Sequence, residues 1–445
     1  MRGVRTIVAL AIAAALGAGW WALRDSPAAT SSLRAPDDRP VFGGADAIPV
    51  DEIDAITLRR GDVTYELRRT GTAWRQTAPI ACDIDPYSAR QFVADAAALL
   101  AERAIDATSS APAAADLVLR AGQREWRLEF GKRSVAGRAF VRRPGGPILV
   151  VRSPLYERAV EMDPREWRSR FLFPESLGRP TRLVWQDRTG SFELARDGER
   201  WTVRGKSLAR ADQPRVDELL AGLARARSDG FLADGPADLA TFGLADPVAR
   251  LTVDATDPNG AATSRTLEIG APLGIGTNDR YARLADTPFV FRLGAGTQTA
   301  LLPRPGTLIE PTGSGRRPAD VKRIEVRPAK GDRFELVREL DRWTISRIRD
   351  GMAGPTVPCN SALPERLLKQ ICLDRAPEIA VGPYPAEMEQ AQVLLFGFDE
   401  KPIDVVRIAK DAKTGKWGLE NGDSALRVFP ATTPLALTAD EFGAP

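Results

Sequence analysis

The groups that could do chemistry in this sequence are carboxylates, hydroxyls and three cysteines, because its 445 residues include no histidine. That excludes Ser-His-Asp and Cys-His nucleophilic mechanisms and every imidazole-dependent zinc site. Glycosidase chemistry needs two carboxylates on either side of a sugar. The nearest clusters are "DID" at 83–85 and "DEFG" at 440–443. Asp85 precedes a helical pattern and is better used as its N-cap, and Asp440 and Glu441 fall in a terminal stretch expected to fray. No Ser-x-x-Lys tetrapeptide occurs, and "DPNGAATSRTLE" at 257–268 lacks the alternating acids of a calcium loop. The glycine-rich "GAPLGIGTNDRY" at 270–281 matches neither phosphate-binding fingerprint; it reads as a hairpin loop with Asn278 and Asp279 in its turn. Cys82, Cys359 and Cys372 have no CxxC spacing. Cys359 just before a helix and Cys372 near its end would lie on the order of 15–20 Å apart. A disulfide tolerates about 7 Å between Cα atoms, so free thiols are expected. The residues therefore nominate no catalytic, cofactor-binding or metal site.

The charges balance at 62 basic and 59 acidic residues, a net charge of +3, which gives no reason to expect a nucleic-acid partner. The densest basic stretch, "GRRPADVKR" at 315–323, reads as a solvated linker. The amino terminus is different. Residues 6–23 carry no charge, Arg2 and Arg5 precede them, and Trp20 and Trp21 stand at the far end. This is the pattern of a segment long enough to cross a bilayer, with the start in the cytoplasm and the bulk exported. Residues 1–24 are expected to be a membrane anchor, or alternatively a cleaved signal. Residues 25–49, rich in Ala, Pro, Ser and Asp, are expected to be a flexible linker.

The elements that follow come in triplicate. "YELRRTGTAW" at 65–74, "FELARDGERW" at 192–201 and "FELVRELDRW" at 334–343 share aromatic-Glu-Leu-x-Arg, four free positions, then Trp. Alternating polarity around a turn reads as a β-hairpin, with the Trp and Leu67, Leu194 and Leu336 in the core and Glu66, Glu193 and Glu335 on the wetter face. Helical patterns follow: "PYSARQFVADAAALLAER", "QPRVDELLAGLARAR" and "ALPERLLKQICLDR", with Asp85, Asp212 and Asn360 as N-caps. Next come strands ending in apolar-Gly at Gly131, Gly270 and Gly397, then "AFVRR", "RYARL" and "DVVRI", then closing strands. The expected fold is α+β: three tandem, mainly antiparallel sheet-plus-helix units over 45–176, 177–314 and 318–445. Trp126 is expected in a core, and Trp167, with Phe171 and Phe173 nearby, in packing between units.

The middle unit carries "FGLADP" at 242–247, then Ile269-Gly270, then Tyr281-x-Arg283 before a Val-containing strand. This order resembles the bacterial family known as domain of unknown function 4340. Phe242, Gly243, Leu244, Pro247, Ile269, Gly270, Tyr281 and Arg283 carry the resemblance, and neither outer unit has an FGLxxP segment. The resemblance implies an exported, membrane-tethered protein, often encoded beside ABC-type transport components, and supplies no catalytic residues. The expected function is a non-enzymatic scaffold or accessory protein, anchored in the inner membrane with its bulk in the periplasm and partnered by ABC-type transporter subunits. The alternative is an envelope glycan- or lipid-acting enzyme or ligand binder with carboxylates in an inter-domain cleft.

Overall fold

The computed structural model describes residues 38–105, 114–133, 138–205, 208–236, 238–340, 342–349, 351–382 and 384–443. The membrane span expected over 1–24 lies outside them; among the described residues no helix is long and apolar enough to cross a membrane. The chain divides into two compact units, Met1–Ser169 and Arg170–Pro445. The first holds one antiparallel sheet and the second holds two.

The first sheet is built from β1 (Ala55–Arg60), β2 (Val63–Thr70), β3 (Ala73–Ala78), β4 (Cys82–Ile84), then helix α1 (Pro86–Ala97), then β5 (Leu100–Ile105), β6 (Ala115–Ala121), β7 (Arg124–Arg133), β8 (Ala139–Arg142) and β9 (Ile148–Val151). Four strands march from β1 to one edge. The helix then carries the chain to the opposite edge, and the last four start beside β1 and march out to meet β5, giving the order β4-β3-β2-β1-β6-β7-β8-β9-β5. Arg39–Pro40 pairs beyond β5.

The second and third sheets repeat this path. The second comprises β10 (Arg179–Asp187), β11 (Gly190–Asp197), β12 (Arg200–Arg204), β13 (Leu208–Arg210), α2 (Gln213–Arg225), β14 (Gly230–Asp234), β15 (Ala249–Thr256), β16 (Ala262–Pro272), β17 (Arg280–Leu284) and β18 (Phe289–Leu293), followed by α3 (Ala295–Leu301). The third comprises β19 (Arg323–Pro328), β20 (Arg333–Glu339), β21 (Arg342–Arg349), β22 (Val357–Cys359), α4 (Ala362–Cys372), β23 (Glu378–Val381), β24 (Glu389–Phe396), β25 (Pro402–Lys410), β26 (Trp417–Glu420) and β27 (Ala425–Phe429). Their orders, β13-β12-β11-β10-β15-β16-β17-β18-β14 and β22-β21-β20-β19-β24-β25-β26-β27-β23, are the first order with every strand advanced by nine, and Met352–Ala353 also pairs with β21 at the outer edge of the third sheet.

The repeated decapeptide sets the register of each hairpin. Leu67 faces Ile56, Leu194 faces Leu183 and Leu336 faces Ile324. Trp74, Trp201 and Trp343 are all buried, each opposite the motif arginine, Arg69, Arg196 or Arg338. The guanidinium lies over the indole in the first and third modules. On the other face Arg182 pairs with Glu193, and Arg323 with Glu335. Each helix lays its apolar stripe on the same sheet face: Val216, Leu219 and Leu223 join the core of the second sheet, and Leu367, Leu368 and Ile371 that of the third.

A second repeated contact joins the seventh and eighth strands. Arg142 Nε donates to Glu129 at 2.8 Å and Arg283 Nε to Glu268 at 2.6 Å. At the same ladder position in the third module the charges are exchanged: Arg407 on β25 donates to Glu420 on β26 at 2.7 Å. This corrects the sequence alignment of that module. "VLLFG" belongs to the sixth strand and "DVVRI" to the seventh; the eighth, Trp417–Glu420, has four residues and no arginine to mark it.

Other expectations also change. Residues 98–103 leave the first helix, and Leu100–Ile105 form the strand β5. Residues 39–48, read as the end of a linker, pack on the first sheet, with Val41, Phe42 and Ile48 buried and Asp46 O accepting from Trp126 Nε1 at 2.9 Å. Asp85 caps α1 by accepting from Ser88 N at 3.0 Å. Asn360 Oδ1 accepts from Ala362 N at 3.0 Å, one residue ahead of the helix N-cap Ser361. Asp212 makes no side-chain cap; it is buried and pairs with Arg375.

Trp201→Ala is expected to destabilise the Arg170–Pro445 unit by about 3–5 kcal/mol, the usual range for truncating a buried Trp. A urea melt matching that of the parent would remove the indole from the core.

Candidate functional site

The residues that carried the family resemblance converge on one corner of the middle module. The short turn Ala240–Phe242 ends at Gly243, whose φ of +65° favours glycine. The turn sits against the end of β16: a Cβ on Gly243 would lie 2.7 Å from Ala271 N, and one on Gly270 would lie 2.2 Å from Phe242 O. Leu244 and Pro247 are buried, and Ile269 O accepts from Val248 N at 2.8 Å. Phe242 meets Tyr281 edge-on at 5.1 Å, and Arg283 holds Glu268. The motif is thus a packing corner that locks a loop to a strand end. The glycine-rich stretch beside it is the expected hairpin loop, with Asp279 Oδ1 accepting from Ala295 N and Oδ2 paired to Arg292.

The carboxylates nominated by the sequence are spent on local structure. Asp85 is a cap, and Asp440 is exposed and paired to Arg347. The tail expected to fray forms the turn Ala439–Phe442 with Phe442 buried. Burial pushes the Glu441 carboxyl up, but hydrogen bonds from the Thr438 hydroxyl and from the Thr438 and Leu437 amides outweigh it and hold the group below the usual range. Trp167, expected between units, packs inside the first unit, edge-on to Tyr65 at 5.9 Å and to Phe92 at 5.7 Å. Among the described residues no group of three or more His, Cys, Asp or Glu could hold a metal. The three cysteines are free thiols, and burial pushes Cys372 up to about 12.

Residues 311–314, just ahead of the basic stretch at 315–323, enter a buried ionic joint between the second and third modules, while Gly315, Arg316 and Arg317 are exposed, as expected of a solvated linker. Arg427, fully buried, makes a bidentate pair with Asp423, its Nη2 donating to Oδ2 at 2.6 Å, and donates through Nε to Glu310 O at 3.0 Å. Arg210 reaches in from β13: its amide donates to Asp423 at 3.4 Å and its Nη2 to Thr312 O at 3.3 Å. Burial, with the charge of Arg427, pushes the Arg210 guanidinium down. Ser314 is buried and donates to Asp404 at 2.5 Å. Sequence reading missed this joint because its hydrogen-bonded partners are up to 213 positions apart.

The cavity best formed for a ligand is a trough of about 700 Å³ in the second unit. Its floor is the stacked pair Trp185 and Phe192, ring centroids 4.7 Å apart and planes 8° from parallel, with Trp185 Nε1 donating to Leu301 O at 2.7 Å. Ile309 and Ile379 line the sides. Asp187 is the carboxylate of the lining, held below the usual range by the Thr189 hydroxyl and amide and by Gly190 N. Arg304 on the rim is exposed and has no ion pair or side-chain hydrogen bond among the described residues. An apolar floor with one uncommitted cation suits binding; a single carboxylate does not make an acid–base pair.

Two outcomes are expected. Gly270→Ala should lower stability by about 1–3 kcal/mol through the clash with Phe242 O, with amide exchange rising first over 242–248. Asp423→Ala should cost about 3–5 kcal/mol by leaving Arg427 buried and unpaired. A chemical melt that leaves either variant at parental stability contradicts the corresponding contact.

Residues 201–371 match the model of the family described as Domain of unknown function (DUF4340). No curated protein matches the chain. Solved structures that it resembles include the DNA polymerase III beta chain of Streptococcus pneumoniae TIGR4, at 9% identity, 86% of this chain, 92% of that chain and a TM-score of 0.14. The Bacillus subtilis DNA polymerase sliding clamp follows, at 7% identity, 87%, 93% and 0.15, and the Streptococcus pyogenes DNA polymerase beta subunit at 9%, 87%, 94% and 0.14. Scores that low carry no argument about fold or function. Residues 201–371 thus match the DUF4340 family, as the motifs from Phe242 to Arg283 implied.

Proposed function

We propose that this chain is a non-enzymatic scaffold or accessory protein of the bacterial envelope. In this reading residues 1–24 hold it in the inner membrane, its bulk lies in the periplasm, and its partners are subunits of an ABC-type transport system. One observation carries the reading: the same nine-strand path is used in three sheets, and the residues that recur are consumed in building each copy. Repetition multiplies surface, whereas catalysis needs a reacting constellation only once. The lack of histidine and the structural employment of Asp85, Asp440 and Glu441 point the same way. The uncharged, apolar run at 6–23 with Arg2 and Arg5 ahead of it supports the anchor.

Crosslinking in native membranes, followed by identification of the captured proteins, tests this reading. The expected result is recovery of a permease and an ATPase of one ABC-type system, with the chain itself resisting alkaline carbonate extraction. Recovery of neither, together with turnover of an envelope glycan or lipid by the purified protein, would replace the scaffold with the enzyme alternative.

A further inference from the structure

The three modules differ in what covers the motif aromatic. In the first, the turn Pro164–Trp167 ends in Trp167, which meets Tyr65; the void left there is about 10 Å³. In the third, the turn Ala439–Phe442 ends in Phe442, 5.4 Å from Phe334, which is wholly buried. The middle module has the matching turn, Pro305–Leu308. A shared backbone bond fixes the correspondence with the first: Asp212 N donates to Leu308 O at 2.8 Å, as Asp85 N donates to Trp167 O at 2.8 Å. Leu308 carries no ring. Phe192 stacks on Trp185 instead, and the trough of about 700 Å³ lies over the pair. A second anchor is also missing. Arg347, two residues beyond the residue facing Leu336, pairs with Asp440 of the covering turn; the position two beyond the residue facing Leu194 is Gly205, in the trough lining.

We propose that the trough receives an aromatic side chain from an acidic peptide segment of a partner protein. The two sibling modules show the chemistry of the occupant, because each is closed in cis by a glutamate followed by a ring: Glu166-Trp167 and Glu441-Phe442. The middle module retains the receiving aromatic, and its own turn offers only the buried Leu308, with no ring to cover it. Charge complementarity selects the acidic flank: Arg304 on the rim has no anionic partner among the described residues, while Asp187 across the lining is already satisfied by its own turn. Flat, rigid rings in a partly desolvated pocket are the usual energetic centre of such an interface. This deepens the scaffold reading by naming the class of partner, and rests on it.

The test is fluorescence anisotropy with the full-length purified chain and a fluorescein-labelled peptide of the sequence Leu437–Gly443, LTADEFG. Saturable binding is expected. Arg304→Glu, on an exposed side chain, should weaken it about tenfold or more with the melting temperature unchanged, and so should replacing the peptide phenylalanine by alanine. No saturable binding, or binding indifferent to both changes, overturns the proposal. Dodecyl phosphate binding where the peptide does not also overturns it, in favour of an amphiphile. The two readings fail separately: recovery of transport subunits with no peptide binding sinks only the trough, and peptide binding with no subunits recovered sinks only the transport association.

Discussion

The fold rests on one cross-strand contact used in each module: a leucine on the second strand set against an apolar residue on the first, with a tryptophan beside it on the third. Leu67–Ile56, Leu194–Leu183 and Leu336–Ile324 fix which face of each hairpin is dry. Side chains alternate along a strand, so a slip of one residue would expose the leucine and bury the motif glutamate. Once that face is dry, the following helix has one place to bury its stripe, and its path across the sheet decides which edge the fifth strand joins. The remaining strands fill the gap between. A ten-residue signature can therefore specify about 110 residues of topology.

The joint between the second and third modules obeys a different rule. Its core is ionic, with Arg427 fully buried and bidentate on Asp423 while Arg210 enters from the neighbouring module. A buried pair of this kind adds little net stability over an apolar contact of the same size, but it tolerates few alternative geometries. It accounts for Arg170–Pro445 forming a single compact unit that contains two sheets. A pair of modules within one compact unit, with an open trough in it, is the arrangement on which the binding proposal stands.

Local signals made the hairpins, the helices and the Asp85 cap legible in the sequence, because each follows from spacing within a dozen residues. The fifth strand of the first module was not. Leu100–Ile105 continues a helical pattern and becomes a strand because it pairs with Ile148–Val151, far along the chain. The eighth strand of the third module was hidden by the exchange of charge between Arg407 and Glu420: the pair persists while its residue types trade places. Phe242, Gly243 and Gly270 were visible as a motif, yet their contact, a carbonyl seated where a Cβ would be, needed coordinates. The trough is legible only by comparing modules, since Leu308 looks like an ordinary core residue until Trp167 and Phe442 are placed at the matching turns.

The most direct measurement of the central claim is the register of the three hairpins. In a background with the native cysteines replaced by alanine, cysteine pairs can be placed at facing positions on the wetter side: Thr57→Cys with Glu66→Cys, Val184→Cys with Glu193→Cys, and Glu325→Cys with Glu335→Cys. Facing Cα atoms lie about 4.5–5.5 Å apart, within disulfide reach. The account predicts that each pair closes on mild oxidation and that moving one cysteine by a single residue abolishes closure in all three. Closure of a shifted pair, or failure of the matched pair in any one module, would contradict a module used three times.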